Sequence, residues 1–201
     1  MKNIYWLFIP ALLIAILSTD TLADSDLPTG IPSPAAEVES AVNKLVKIVE
    51  TYPGEKNTER RRKKMRETIE PLFDFEEMAK RSLGAEWKKR TPEERKEFVR
   101  IFADLLANTY LNRIEKISKS TVKVMDEKVR FPRAIVKTKV EYKGDSFPID
   151  YRLINRHGKW QVYDVVIENI GLVSNYRSEF AGIIRKEKFS GLMERLRNKA
   201  S

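Results

Sequence analysis

The chain has 201 residues, 42% of them hydrophobic and 33% charged, and its 38 Lys and Arg outnumber 29 Asp and Glu to give a formal charge of +9. It holds no cysteine and one histidine, which excludes thiol nucleophiles, thiolate metal sites, disulfides and acylation on cysteine. The length suits one domain with a sizeable core, and the charge fits an anionic partner, although no recognised nucleic-acid motif occurs.

The first residues, MKNIYWLFIPALLIAILSTDTLA, set a lysine at position 2 before an apolar run from Ile4 to Leu17 and end on the small residue Ala23. That is the layout of a cleavable secretory signal, and the run is shorter than the roughly 18 to 20 residues that span a bilayer. Residues 1–23 are therefore expected to be removed after export. The removed segment contains one lysine and one aspartate, so the charge of +9 is unchanged. DSDLPTGIPSP, Asp24 to Pro34, reads as a flexible lead-in, and 35–201 as a single domain.

From Ala35 to Tyr52, Val38, Val42, Leu45, Val46 and Val49 recur at helical spacing, and Pro53 and Gly54 end the segment. The next helix, TERRRKKMRETIEPLFDF, crowds Arg60, Arg61, Arg62, Lys63, Lys64 and Arg66 together. Its ordinary reading is a solvated face supported by Lys63 to Glu67 and Arg66 to Glu70. The sharper one is transient docking of Arg60 to Lys64 on an anionic membrane surface or an acidic partner.

Phe75 to Leu83 reads as a short helix ended by Gly84. Thr91, Pro92 and Glu94 then form a strong helix start: the threonine caps free N–H groups, the proline suits the first turn, and the glutamate closes a capping box. The helix is predicted to run to about Ile117, with Phe98, Ile101, Phe102, Leu105, Leu106 and Tyr110 on one broad side, widened by Val99, Ala103 and Leu111. Such a face needs an apolar surface opposite, and a sheet is expected to supply it.

Four strands are predicted: Thr121 to Met125, Arg133 to Tyr142, Phe147 to Ile154 and Trp160 to Glu168. Short connections such as KGDS and NRHGK imply antiparallel neighbours. After Gly171, two helices follow, Val173 to Lys186 and Phe189 to Lys199. Helices first and strands later give an α+β fold: N-terminal helices on a twisted antiparallel sheet, closed by C-terminal helices.

Chemistry is nearly absent. His157 sits in the turn NRHGK and reads as an exposed turn residue rather than a catalytic base. No metal-protease, nucleophile-elbow, P-loop or dinucleotide fingerprint occurs. Asp150, Asp164 and Glu168 would be the carboxylates of a hydrolase, but nothing in the sequence pairs them. No enzyme, cofactor or metal is expected. Asp164 lies in an otherwise apolar strand and Arg177 one turn into the next helix, so the two are read either as a partly buried ion pair or with Arg177 as a headgroup contact.

Two blocks carry a family resemblance. Trp160, Asp164, Val165 and the run IENIGLVSNYRSEF, Ile167 to Phe180, resemble the signature of the MlaC, or toluene-tolerance, family. FDFEEMAKRSLGAEWKKRTPEERKEFVRIFADLLANTY, Phe73 to Tyr110, resembles its helical half, including Leu83 and Gly84, Trp87, the Thr-Pro start and the spacing of Phe98, Phe102, Leu106 and Tyr110. Where the family reads close to Val-Glu-Gly-Val-Ser, this chain has Asn169 and Gly171 in place of glycine and serine, which is expected to move the bend one or two residues later. The resemblance implies a periplasmic carrier that shuttles phospholipid between an outer-membrane lipoprotein complex and an inner-membrane ABC transporter complex.

A two-chain phospholipid exposes roughly 30 methylenes, or on the order of 24 kcal/mol at about 0.8 kcal/mol each, so only an enclosing cavity keeps it from the membrane. Candidate walls are Phe98, Phe102, Leu105, Leu106 and Tyr110 on the long helix. Val136, Val140, Tyr142, Tyr151, Trp160, Val162 and Val166 supply the sheet, and Tyr176 and Phe180 the closing helix. The competing readings are a periplasmic adaptor with a filled core and a carrier of a non-phospholipid such as a hopanoid.

Overall fold

The structure, a computed structural model, describes residues 27–116, 121–142 and 144–200; the expected signal segment lies outside the described residues. Helix α1, Pro34–Thr51, starts where Ser33 accepts from the Ala36 N–H and Pro34 occupies the first turn. The Ser33 hydroxyl also donates to Glu127 at 2.7 Å, and the Ala35 N–H reaches the same carboxylate. The part of the lead-in that is described is docked rather than loose. Leu27 and Ile31 pack against the sheet, and the Trp160 indole donates to the Pro32 carbonyl at 2.9 Å, because a buried indole needs an acceptor.

Helices α2, Thr58–Ile69, and α3, Phe75–Leu83, follow, and the capping box of α4, Pro92–Lys116, forms as predicted, with Thr91 and Glu94 each accepting the other's N–H. Strands β1, Thr121–Arg130, β2, Arg133–Tyr142, β3, Asp145–Arg156, β4, Lys159–Ile167, and β5, Ile170–Gly171, form one antiparallel sheet in sequence order. The fold is α+β. There are five strands rather than four, because the β4 chain reverses at Glu168 and Asn169, φ 48° and 67°, and pairs briefly with itself. That bend falls on Asn169, where the family reads glycine, and not later: asparagine tolerates the left-handed region that the turn needs. β1 extends past Met125, where a bulge lets the charged DEKVR run keep pairing.

Helix α5, Leu172–Ala200, is broken at Lys188, φ 62°, ψ −178°, which yields the two helical pieces expected. Its first piece and α4 build an aromatic core. Phe98 stacks on Phe102 at 5.7 Å, and Phe180 meets both edge-on. Tyr176 lies edge-on to Phe102 at 5.2 Å. The broad side of α4 thus has two partners instead of one. At 25 residues, about 37 Å of rise, α4 is long enough for its first half to pack on α3 and α5 while its second half lies beside the sheet.

Two buried carboxylates join the helical half to the sheet. Asp74, 8% exposed, caps α3 through the Glu77 N–H and accepts from Arg156 at 2.6 Å, while its own N–H donates to the Val162 carbonyl. Asp164, 5% exposed, accepts from the Val173 N–H at 3.1 Å and from Arg152 at 3.2 Å.

Phe180→Ala is expected to lower the unfolding free energy by about 3–5 kcal/mol, because it removes the ring on which the α4–α5 core closes; a denaturant titration that shifts by less than about 1 kcal/mol would remove this ring from the core.

Candidate functional site

The inner face of the sheet alternates apolar side chains, Ala134, Val136 and Val140 on β2 opposite Leu153, Tyr151 and Phe147 on β3. α1 covers this face without filling it. Between them lies a cavity of about 490 Å³, within the roughly 300–1,000 Å³ range of small-molecule sites. Its floor is Val140, Ile149, Tyr151, Trp160, Val162 and Val165. Its roof is the α1 stripe Val38, Val42, Leu45, Val46 and Val49, and its side wall is Leu106, Ala107, Tyr110, Leu111 and Ile114 of α4. Phe73, Phe75 and Met78 close it on the α3 side.

The space follows from residue size. Ala41 on the roof and Ala103 and Ala107 on the wall line it with small side chains that leave room unfilled. Val42, Leu45, Val46 and Val49 are only half-buried although they line the interior, so their faces look into space rather than onto packed neighbours. The stripe from Val38 to Val49 rises about 17 Å, close to the ~15 Å that one leaflet's chains occupy in a bilayer.

The structure brings together part of the sequence-derived wall. Leu106, Tyr110, Val140, Tyr151, Trp160 and Val162 line the cavity. Phe98, Phe102, Leu105, Tyr176 and Phe180 do not; they sit in the α4–α5 core. Val136 is fully buried in the sheet core, Val166 is not among the cavity-lining residues, and the Tyr142 side chain lies outside the described residues. The α1 stripe is the part of the site that sequence reasoning missed. Its signal was present: five β-branched or leucine residues at helical spacing, in a helix with no partner assigned.

The expected Asp164–Arg177 pair is replaced by another. Asp164 pairs with Arg152 across β3 and β4 and caps the first turn of α5, favourable at the positive end of the helix dipole. Gly171 sits close beside this cap: an added Cβ would lie 3.0 Å from the Ser174 hydroxyl and in ordinary contact, 3.4 Å, with the Asp164 carboxylate. Arg177 points outward from α5, with its guanidinium against Gly84 at the α3 C-terminus, where a Cβ would come within 3.0 Å of its Nε. It does not line the cavity.

The basic run of α2 is used within the protein. Arg61 reaches Glu115 on α4 at 3.0 Å and also donates to the carbonyls of Tyr52 and Gly54. Arg62 shares Glu115, Arg66 pairs with Asp104 at 3.0 Å, and Arg60 lies over the Tyr52 ring. Glu67 pairs with Lys64 rather than with Lys63. With Met65 the one α2 residue that is fully buried, ion pairs take the place of an apolar face in docking this helix.

Burial pushes the Tyr151 phenol up to about 12, with its hydrogen bond to Thr138 opposing. Burial, then the neighbouring Tyr110, does the same for Tyr176, again to about 12.

A family model described as MlaC protein matches residues 39–198. The chain is 22% identical over 143 residues to the intermembrane phospholipid transport system binding protein MlaC of Haemophilus influenzae, which covers 68% of this chain and 67% of that one. Among solved structures it is similar to a phospholipid-binding protein from Ralstonia solanacearum in complex with a phospholipid. The TM-score is 0.76 and the identity 24%, over 84% of this chain and 97% of that one, a likeness of fold.

Asp164→Ala would leave the buried Val173 N–H without its acceptor and is expected to cost about 1–3 kcal/mol, whereas Arg177→Ala, at an exposed position, should cost below about 0.5 kcal/mol; the reverse order in thermal or urea unfolding would restore the Arg177 brace. Both tyrosines titrate higher in the folded chain than the ordinary phenol value of about 10. Their contribution to stability is whole below about pH 10 and falls as pH rises from 10 towards 12, since the unfolded chain loses those protons first. Ultraviolet phenolate titration should show two of the tyrosines ionising only as the chain unfolds.

Proposed function

The chain belongs to the MlaC family, and from that membership we propose that it is a periplasmic phospholipid carrier, enclosing acyl chains between α1 and the sheet. It takes lipid from, or delivers it to, an outer-membrane lipoprotein complex and an inner-membrane ABC transporter complex, and so serves outer-membrane lipid asymmetry. The observation that carries this reading is the cavity of about 490 Å³ with its almost wholly apolar lining. The Haemophilus relative is a phospholipid transport system binding protein and the Ralstonia protein binds a phospholipid, and both support it.

A lipid leaves a bilayer without a large penalty only if each methylene finds apolar surroundings elsewhere, at about 0.8 kcal/mol per group. The α1 stripe, the sheet floor and the α4 wall supply those surroundings on three sides. Charge among the lining is limited to Glu37, Arg66, Glu70 and Glu168, and Arg66 is already held by Asp104 and Glu70. The arrangement suits binding, with chains inside and a headgroup outside. An adaptor would have a filled core, which the roof residues do not make. A hopanoid would use the same walls, and the cargo's identity decides between the two lipid classes.

Protein isolated without detergent is expected to carry phospholipid, detected by native mass spectrometry after organic extraction. Ala107→Trp, which places an indole in the cavity, should lower bound lipid by about 10-fold while the chain stays folded, since large residues in apolar space cost only about 1–3 kcal/mol. Lipid-free wild-type protein that also takes none from vesicles would sink the carrier reading.

A further inference from the structure

The β1–β2 and β3–β4 hairpins end side by side, tied by the Asn155 N–H to the Pro132 carbonyl at 2.7 Å. Their shared edge presents Lys128, Arg130, Arg133 and Lys159, all exposed and, among the described residues, without an ion pair. Between Arg130 and Arg133 stands Phe131, 42% exposed, and Ile135, 37% exposed, lies beside them. The nearby carboxylates are occupied elsewhere. Glu127 turns inward to the α1 N-terminus, Asp126 faces Lys137 at 3.7 Å, and Asp74 holds Arg156.

We propose that this hairpin edge docks the protein on an anionic lipid surface, with the Phe131 ring at the headgroup level and the four cations around it on lipid phosphates. Aromatic rings favour the boundary between headgroups and chains, and Lys and Arg near an anionic surface gain from its negative potential. A bilayer interface accommodates both the unpaired cations and an exposed aromatic ring at the hairpin tip, whereas binding to an acidic protein would not distinguish anionic from neutral vesicles. Phe131 also meets Trp160 edge-on at 6.3 Å, and Trp160 is a cavity wall. The docked edge is therefore one side chain away from the cavity. Docking of this kind is separate from carriage of lipid in the cavity.

The test is flotation of the soluble, detergent-free protein with vesicles of phosphatidylcholine containing about 30% phosphatidylglycerol, and with phosphatidylcholine alone. The wild type is expected to float with the anionic vesicles and to be released as salt approaches about 1 M, where screening shortens to about 3 Å. Arg130 and Arg133 face each other in the β1–β2 register, so replacing both by Glu exchanges one like-charge pair for another and should leave the fold intact. R130E/R133E is expected to lower vesicle binding about 10-fold or more. K128E/K159E, which leaves the turn untouched, should also lower it. R60E/K63E on α2 should not. Equal binding to both vesicle types, no binding to anionic vesicles, or unchanged binding by both hairpin variants overturns the proposal. Bound phospholipid measured in the same preparations keeps the two readings apart, because the hairpin variants retain cargo if carriage holds, and wild-type flotation is read whether or not cargo is found.

Discussion

The arrangement rests on two buried carboxylates. Asp74 and Asp164 lie on opposite sides of the junction between helices and sheet, and each satisfies a helix start with one oxygen and a strand arginine with the other. A buried carboxylate is tolerable only when it is paired and hydrogen-bonded, so both helices are fixed where these acids can reach them. Because α3 and α5 are held at β4, they build a core with α4 beyond the sheet edge. The inner face of the sheet is left for α1, and one helix cannot fill a face that wide. The cavity is thus a result of where the acids stand, as much as of the apolar residues that line it.

Local signals in the sequence located most elements. Proline, glycine and threonine punctuation marked α3 and α4, and strict alternation marked β2 from Arg133 to Tyr142 to the residue. What was not legible was partnership. A broad apolar side on α4 states that something covers it, but not that two different surfaces share it, so Phe98 and Phe102 were assigned to the sheet side when they belong to α5. Asp164 stands out in the sequence as an acid in an otherwise apolar strand. Its partner was misassigned because Arg152 sits twelve residues earlier, in a strand whose register only pairing defines.

The α1 stripe shows the same limit from the other side. Periodicity identifies an apolar face, yet periodicity is identical for a helix packed on a core and a helix above a cavity. Only the fold brings small wall residues such as Ala103 and Ala107 beside that face, where they help leave the space. The basic run on α2 is a comparable case. Six cations in a short helix read as a surface, and several of them are instead the means by which a helix poor in apolar residues is attached to α4.

α1 is held at its two ends by different polar groups. Glu127 takes the Ser33 hydroxyl and the Ala35 N–H at the start, and Arg61 holds the carbonyls of Tyr52 and Gly54 just beyond the end. Between them, its inward side meets the cavity over most of its length. Near its start α1 is also tied to the sheet cluster, where Val38 is buried and Ala35 and Val42 pack beside it, so the span least constrained by packing is the part beyond Val42. Under the proposed carriage, a cargo of greater bulk would press first on that half of α1, whose inward residues Leu45, Val46 and Val49 are only half-buried.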